Sequence, residues 1–159
     1  MRDPRSRSRA PLSRCEKLQN SLRGNPSRKW PLSVIMVGGS QALRVTIRAM
    51  VRHEPGFFLV AETETGAAAL ALVFRWQPAV ALVEVCLPDR NGFEVVKCIN
   101  QLVPTCAAII LSNAPDPCVE DVARINGAKA VWHKGSGIGQ LRRTLRRLVN
   151  EAFARPCPN

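Results

Sequence analysis

The chain has 159 residues, room for one domain of ordinary size and too few for two. An apolar share of 46% suits a globular core, and no apolar run approaches the roughly 18 residues of a membrane helix, so no membrane partner is expected. The net charge of +11 is uneven: residues 1–31 hold nine Lys/Arg against Asp3 and Glu16, which puts seven of the eleven net charges there.

Residues 1–31 mix charge with Ser, Pro and Asn and show little hydrophobic periodicity. Such a stretch buries too little apolar surface to offset ordering, so it reads as a disordered basic extension with at most a short helix at Ser13–Leu22. It lacks the apolar centre of a secretory signal, and a cytoplasmic location is expected. From Leu32 the pattern changes. Leu32–Val37 is a short β-branched strand. Ser40–His53 sets Leu43, Ile47, Met50 and Val51 at helical spacing, and Pro55-Gly56 ends that helix. Phe57–Ala61 is a second strand. Thr65 caps a helix to Trp76, before Pro78. Ala79–Val85 is a third strand. Gly92–Leu102 is a helix with Phe93, Val96 and Ile99 on one face. Cys106–Leu111 is a fourth strand, and Asp116–Asn126 a helix closed by Gly127. Lys129–Trp132 is a fifth strand. Ile138–Phe153 is a last helix with Leu141, Leu145, Leu148 and Val149 inward, and Arg142, Arg143, Arg146 and Arg147 largely outward. The folded domain therefore spans 32–153, with a tail at 154–159.

Near-continuous apolar strands alternating with amphipathic helices imply an α/β fold: a doubly wound five-stranded parallel sheet with helices on both faces. Sites in such folds lie beyond the carboxyl ends of the strands. The residues there are Gly38-Gly39, Glu84 to Pro88, Ser112-Asn113 and Lys134. A nucleotide loop needs G-x-G-x-x-G or a Lys-Ser/Thr pair after its glycines, and Gly38-Gly39-Ser40 is followed by Gln41-Ala42-Leu43. The six cysteines match no zinc spacing, and Cys86, Cys98 and Cys106 read as small buried hydrophobes. His53 and His133 have no carboxylate or Cys at ligand spacing. His53 near a helix C-terminus complements the dipole. No catalytic constellation is present, so no enzyme is expected.

The segments VIMVGGS, QPAVALVEVCLPDRNGFEVV, AIILSN and NGAKAVWHK resemble the receiver domain of bacterial response regulators, of CheY-like fold. PGFFLVAETETGAAALAL is similar to receivers of the NarL/FixJ type. The resemblance covers about Leu32 to Phe153 and implies the flavodoxin-like strand order 2-1-3-4-5. It aligns Glu84 with the family's phosphorylated aspartate, Gly38 and Gly39 with its acidic pair, Ser112 with its Ser/Thr and Lys134 with its Lys. Val131 falls where the family has a switch aromatic, with Trp132 beside it.

The departures matter as much. The family's carboxylates hold Mg²⁺, a cation that demands oxygen ligands in octahedral array. Here two are glycines and the third is Glu84, so Mg²⁺ binding is expected to be weak or absent, with no other cofactor. Gly38→Asp, Gly39→Asp and Glu84→Asp together are expected to restore it. Gly39→Asp should gain backbone order unless its φ is positive. Glu84 has two readings, a structural partner of Lys134 or a fixed imitation of aspartyl phosphate with Ser112 and Lys134 available to it. The resemblance implies a degenerate receiver of two-component phosphorelay signalling, with a histidine kinase, a phosphotransfer protein or another regulator as partner. Its helix-four, strand-five, helix-five surface is where partners dock. The alternative is a nucleic-acid-associated protein using residues 1–31 for non-specific phosphate contacts. The sequence ends six residues after the last helix, so no helix-turn-helix module is expected within it.

Overall fold

The computed structural model describes residues 32–154. The expectations for the basic extension, its nucleic-acid contacts and residues 155–159 lie outside the described residues. Ten main elements alternate: β1 Leu32–Val37, α1 Gln41–His53, β2 Phe57–Thr63, α2 Gly66–Trp76, β3 Val80–Glu84, α3 Gly92–Leu102, β4 Ala107–Ser112, α4 Pro117–Ile125, β5 Ala130–His133 and α5 Ile138–Ala154. A 3₁₀ turn at Lys134–Ser136 joins the last two. The strands pair in parallel in the order β2-β1-β3-β4-β5, as the resemblance implied.

Local chemistry sets the helix starts. Ser40 accepts from the Leu43 N–H, Thr65 from the Ala68 N–H, Asn91 from the Phe93 N–H and Asp116 from the Cys118 N–H, each answering an amide with no partner inside its helix. At the end of α4, Gly127 takes φ +87°, and the Ala128 N–H returns to the Ala123 carbonyl at 2.9 Å. That is the six-to-one closure a left-handed glycine permits.

The sheet has two apolar faces. Val34, Met36, Leu82, Ile109, Leu111 and Trp132 pack with Ile47 and Val51 of α1 and Leu141, Leu145 and Leu148 of α5. Ile35, Val83, Ala108 and Ile110 pack on the other face with Val73 of α2, Val95, Val96 and Ile99 of α3 and Ala123 of α4. The side chain of Val149 lies outside the described residues.

Strand limits differ from the expectation by one or two residues. The Cys106 N–H bonds back to the Val103 carbonyl, so Cys106 belongs to the turn and β4 starts at Ala107. Ser112 pairs with His133, which moves the ends of β4 and β5 one residue on. Val85 leaves β3 because the chain turns there: the Gly92 N–H bonds the Val85 carbonyl at 2.7 Å. β2 continues to Thr63, paired with Val37.

One contact had no local signal. Glu54, after α1, is 5% exposed and its carboxylate meets Arg146 and, at 3.6 Å, Arg142 of α5. These two arginines were expected to face solvent. Both side chains stay about half exposed, and their guanidinium groups neutralise a carboxylate whose burial would be costly without a charged partner.

Candidate functional site

Four strand ends converge. Gly38-Gly39 follows β1, Glu84 ends β3, Ser112 ends β4 and Lys134 follows β5. The Glu84 side chain is 16% exposed and that of Lys134 28%. Lys134 Nζ donates to Glu84 Oε1, and the Gly39 N–H donates to Glu84 Oε2 at 2.9 Å. Both carboxylate oxygens are thus engaged, one by a cation and one by a backbone amide.

The glycine turn makes the second bond. Gly38 and Gly39 have φ of +82° and +94°, the left-handed region that Cβ disfavours. A Cβ on Gly38 would stand 2.7 Å from Leu87 Cδ2 and 3.0 Å from Glu84 Cβ. One on Gly39 would stand 2.8 Å from Met36 Cε. The pair is therefore more than two missing carboxylates: it lets the backbone turn an amide onto Glu84. The condition set on Gly39→Asp fails, because with positive φ the substitution is strained rather than ordering. Gly92 serves the same site from below. Its Cβ would fall 1.9 Å from the Glu84 carbonyl oxygen, so only glycine fits.

The loop after Glu84 is fixed by Asp89, a residue the sequence reading missed. Its two carboxylate oxygens accept from the Gly66 and Ala67 N–H groups at 2.7 and 3.0 Å. These first-turn amides of α2, the Gly66 bond foremost, hold the Asp89 carboxyl below its ordinary pKa. A loop-borne Asp capping a helix 23 residues earlier leaves no local pattern in the sequence.

Ser112 does not reach Glu84. Its hydroxyl donates to the Ala114 carbonyl at 2.9 Å, closing its own turn, so of the two residues available to Glu84 it is Lys134 that engages the carboxylate. The cavity of about 150 Å³ there is lined by Glu84, Cys86, Ser112, Asn113, Val119 and Lys134 among others. Cys86 is exposed at this cavity rather than buried, because the chain has already left the sheet. Cys106 is buried as expected, and desolvation pushes its thiol up to about 12.

Val131 packs against the α2–α4 face, whereas Trp132 points to the opposite face and donates from Nε1 to the Gly137 carbonyl at 3.2 Å. The neighbouring ring therefore cannot replace an aromatic at 131 without reversing the strand's alternation. His133, with 10% of its side chain exposed, sets Nε2 3.1 Å from Glu120 Oε1, a partner that spacing in the sequence did not suggest. Among the described residues no group of three or more His, Cys, Asp or Glu side chains stands where it could hold a metal. One carboxylate already held by a lysine is a donor set that does not fit an octahedral oxygen-seeking cation.

The fold, the strand-end site and the loop after Glu84 agree with one family. The sequence model of the response regulator receiver domain matches residues 34–146. This chain belongs to that family. It is 28% identical over 81 residues to the transcriptional regulatory protein DegU of Brevibacillus brevis, covering 51% of this chain and 34% of that protein. It is 30% identical over 107 residues to a protein-glutamate methylesterase/protein-glutamine glutaminase of Syntrophus aciditrophicus, covering 66% of this chain and 31% of that one. The chain thus spans about a third of the length of these relatives. Among solved structures, the receiver domain of the response regulator NarL from Mycobacterium tuberculosis superposes with a TM-score of 0.70 at 21% identity, covering 79% of this chain and 99% of that one. A LuxR-family response regulator from Aurantimonas sp. SI85-9A1 gives 0.71 at 20% identity, over 76% of this chain and 86% of that one. This receiver is a domain of two-component signalling, a family whose members interact with kinases or other regulators. Among the described residues no helix is long and apolar enough to cross a membrane.

Proposed function

We propose that this domain is a degenerate receiver, acting by protein–protein contact without a normal aspartyl phosphorylation cycle. The observation that carries the reading is the closure of the site: Lys134 and the Gly39 N–H take both oxygens of Glu84. A divalent cation would have to displace the lysine and then find its remaining oxygens where the chain has Gly38 and Gly39. Mg²⁺ binding is therefore weak or absent. Glu84 is also a poor acceptor for a phosphoryl group, since its nucleophilic oxygens are held and no metal offsets the incoming charge.

The geometry favours a structural clamp over an imitation of aspartyl phosphate. A phosphate on Asp brings nearly two charges and three acceptor oxygens. Glu84 brings one charge and engages Lys134 but not Ser112, whose hydroxyl serves its own turn. The domain then holds one state, and a histidine kinase, a phosphotransfer protein or another regulator reads its surface rather than its chemistry. The test is intact-mass analysis after incubation of the full chain with acetyl phosphate and Mg²⁺. No phosphoryl adduct should form. An adduct that disappears in Glu84→Ala would overturn the reading.

A further inference from the structure

The two helical layers differ in what they show to solvent. Among the described residues, four of the five large apolar side chains that are exposed, Phe74, Leu102, Val122 and Ile125, belong to α2, α3 and α4, on one face of the sheet. These helices carry three basic residues, Arg75, Lys97 and Arg124, and three acidic ones, Glu94, Glu120 and Asp121. The layer is charge-balanced in a chain of net charge +11.

Helix α2 is the extreme case. Its sequence, GAAALALVFRW, holds one charged residue. That residue, Arg75, sets its guanidinium carbon 5.2 Å from the centroid of the Trp76 ring, whose face offsets part of the charge. A surface helix ordinarily turns polar side chains outward, and one that is apolar all round is ordinarily covered all round. Here Gly66, Ala69 and Val73 face the core, whereas Ala67, Ala68, Ala71 and Phe74 are exposed, Phe74 at 67%. Leu102, 47% exposed at the same end of the neighbouring α3, widens the apolar surface.

Shape selects the occupant of this face. Ala67, Ala71 and Phe74 fall at i, i+4 and i+7, one stripe that is small at its N-terminal end and large at its C-terminal end. Two copies laid antiparallel about a two-fold axis near Ala71 set Phe74 of each against Ala67 of the other. Large then meets small twice, as an isologous contact requires. Parallel copies would oppose ring to ring at one end and leave a gap at the other. Alanine at the crossing lets the two axes approach to the short end of the ~8–10 Å range of packed helices. Charge permits the same arrangement, because the layer is balanced and the arginines of α1 and α5 lie on the opposite face of the sheet. We infer that the chain forms a homodimer through the outer face of α2, with Phe74 of each copy seated on Ala67 and Ala71 of the other. Eleven residues make a helix about 16 Å long, so the contact is small and the dimer concentration-dependent. The inference goes beyond the reading of a closed receiver and does not depend on the state of Glu84.

The test is sedimentation velocity of the full chain from about 10 µM to 1 mM, a range that spans weak association. A reductant keeps the exposed Cys86 and Cys118 from linking copies covalently. A shift from monomer to dimer with rising concentration is expected. Phe74→Ala removes the anchor and Ala67→Phe sets ring against ring, so each should weaken dimerisation at least about tenfold. The variant with both changes exchanges the large and small ends of the stripe. It should dimerise again to within about threefold of the parent, a coupling that only an antiparallel register produces. Both positions are exposed, so the fold is preserved, and the circular dichroism melt checks this. Val45→Glu, on the 50% exposed Val45 of α1 in the opposite layer, should leave the dimer unchanged. A monomer throughout the range would overturn the inference. So would association that survives both single changes, which would place it elsewhere on the chain, and so would a double variant as weak as the two losses combined. None of these outcomes bears on the acetyl phosphate experiment, so failure here is separable from failure of the proposed function.

Discussion

Replacing Lys134 by Met keeps the aliphatic stem and removes the ammonium, leaving Glu84 with one backbone N–H for its charge. Orphaning a fully buried carboxylate costs about 3–5 kcal/mol, whereas breaking an exposed pair costs about 0–1 kcal/mol. Glu84 is 16% exposed and Lys134 28%, so the site lies between these limits but nearer the buried one. A loss of about 2 kcal/mol is expected. Glu84→Gln should cost less, about 1 kcal/mol, because the amide oxygen can still accept from Gly39 and the freed lysine can reach water. If the pair acts as a unit, the double variant is more stable than the sum of the two losses implies, with a coupling of about 1–2 kcal/mol. Urea unfolding of all four proteins at neutral pH gives the cycle, provided the m-values agree. A Lys134→Met loss under about 0.5 kcal/mol, or a coupling near zero, would refute the idea that this pair closes the site.

Other expectations can be measured in the same preparations. Gly39→Asp forces a non-glycine residue to φ near +94° and should lower stability by about 1–3 kcal/mol in urea unfolding. Glu54→Gln should cost about 1–3 kcal/mol by removing the charge that ties α1 to two arginines of α5, while Arg143→Gln should change stability by less than about 0.5 kcal/mol. Because the folded pKa of Asp89 is lowered, its contribution is fully present above its unfolded pKa of about 4 and is lost as pH falls through the lowered value. Asp89→Asn should therefore be less stable than the parent at neutral pH and show a flatter loss of stability below pH ~4 when the two are melted across that range. Maleimide should label Cys86 and Cys118 in the native protein and reach Cys106 only after denaturation, read by peptide mass mapping.

Much of the fold was legible because its signals are local. Alternation of apolar strands with 3.6-period helices fixed the layers, Ser40, Thr65 and Asp116 marked helix starts, and Gly127 marked an end. The strand-end rule brought Gly38-Gly39, Glu84, Ser112 and Lys134 to one place. What the sequence hid was side-chain direction across long separations. Arg146 finds Glu54 from 92 residues away, and Asp89 caps α2 from a different loop. The Ser112 hydroxyl closes its own turn on the Ala114 carbonyl, two residues on, rather than turning to the carboxylate of the neighbouring strand end. The positive φ of Gly38 and Gly39 was permitted by their identity but not required by it, so the amide that meets Glu84 became visible only with the backbone in place.

The most direct measurement of a closed, metal-free site follows the Gly39 amide itself. Its N–H donates to Glu84, so its proton and nitrogen shifts report any ligand that takes that carboxylate. Two-dimensional amide NMR of the full chain, titrated with millimolar Mg²⁺ and then with beryllofluoride, should leave Gly39 and the Lys134–Ser136 turn unmoved. Saturable shifts at Gly39 and Lys134 on adding Mg²⁺, followed by a second set with beryllofluoride, would mean that the site still accepts a metal and a phosphoryl group, and would contradict the account.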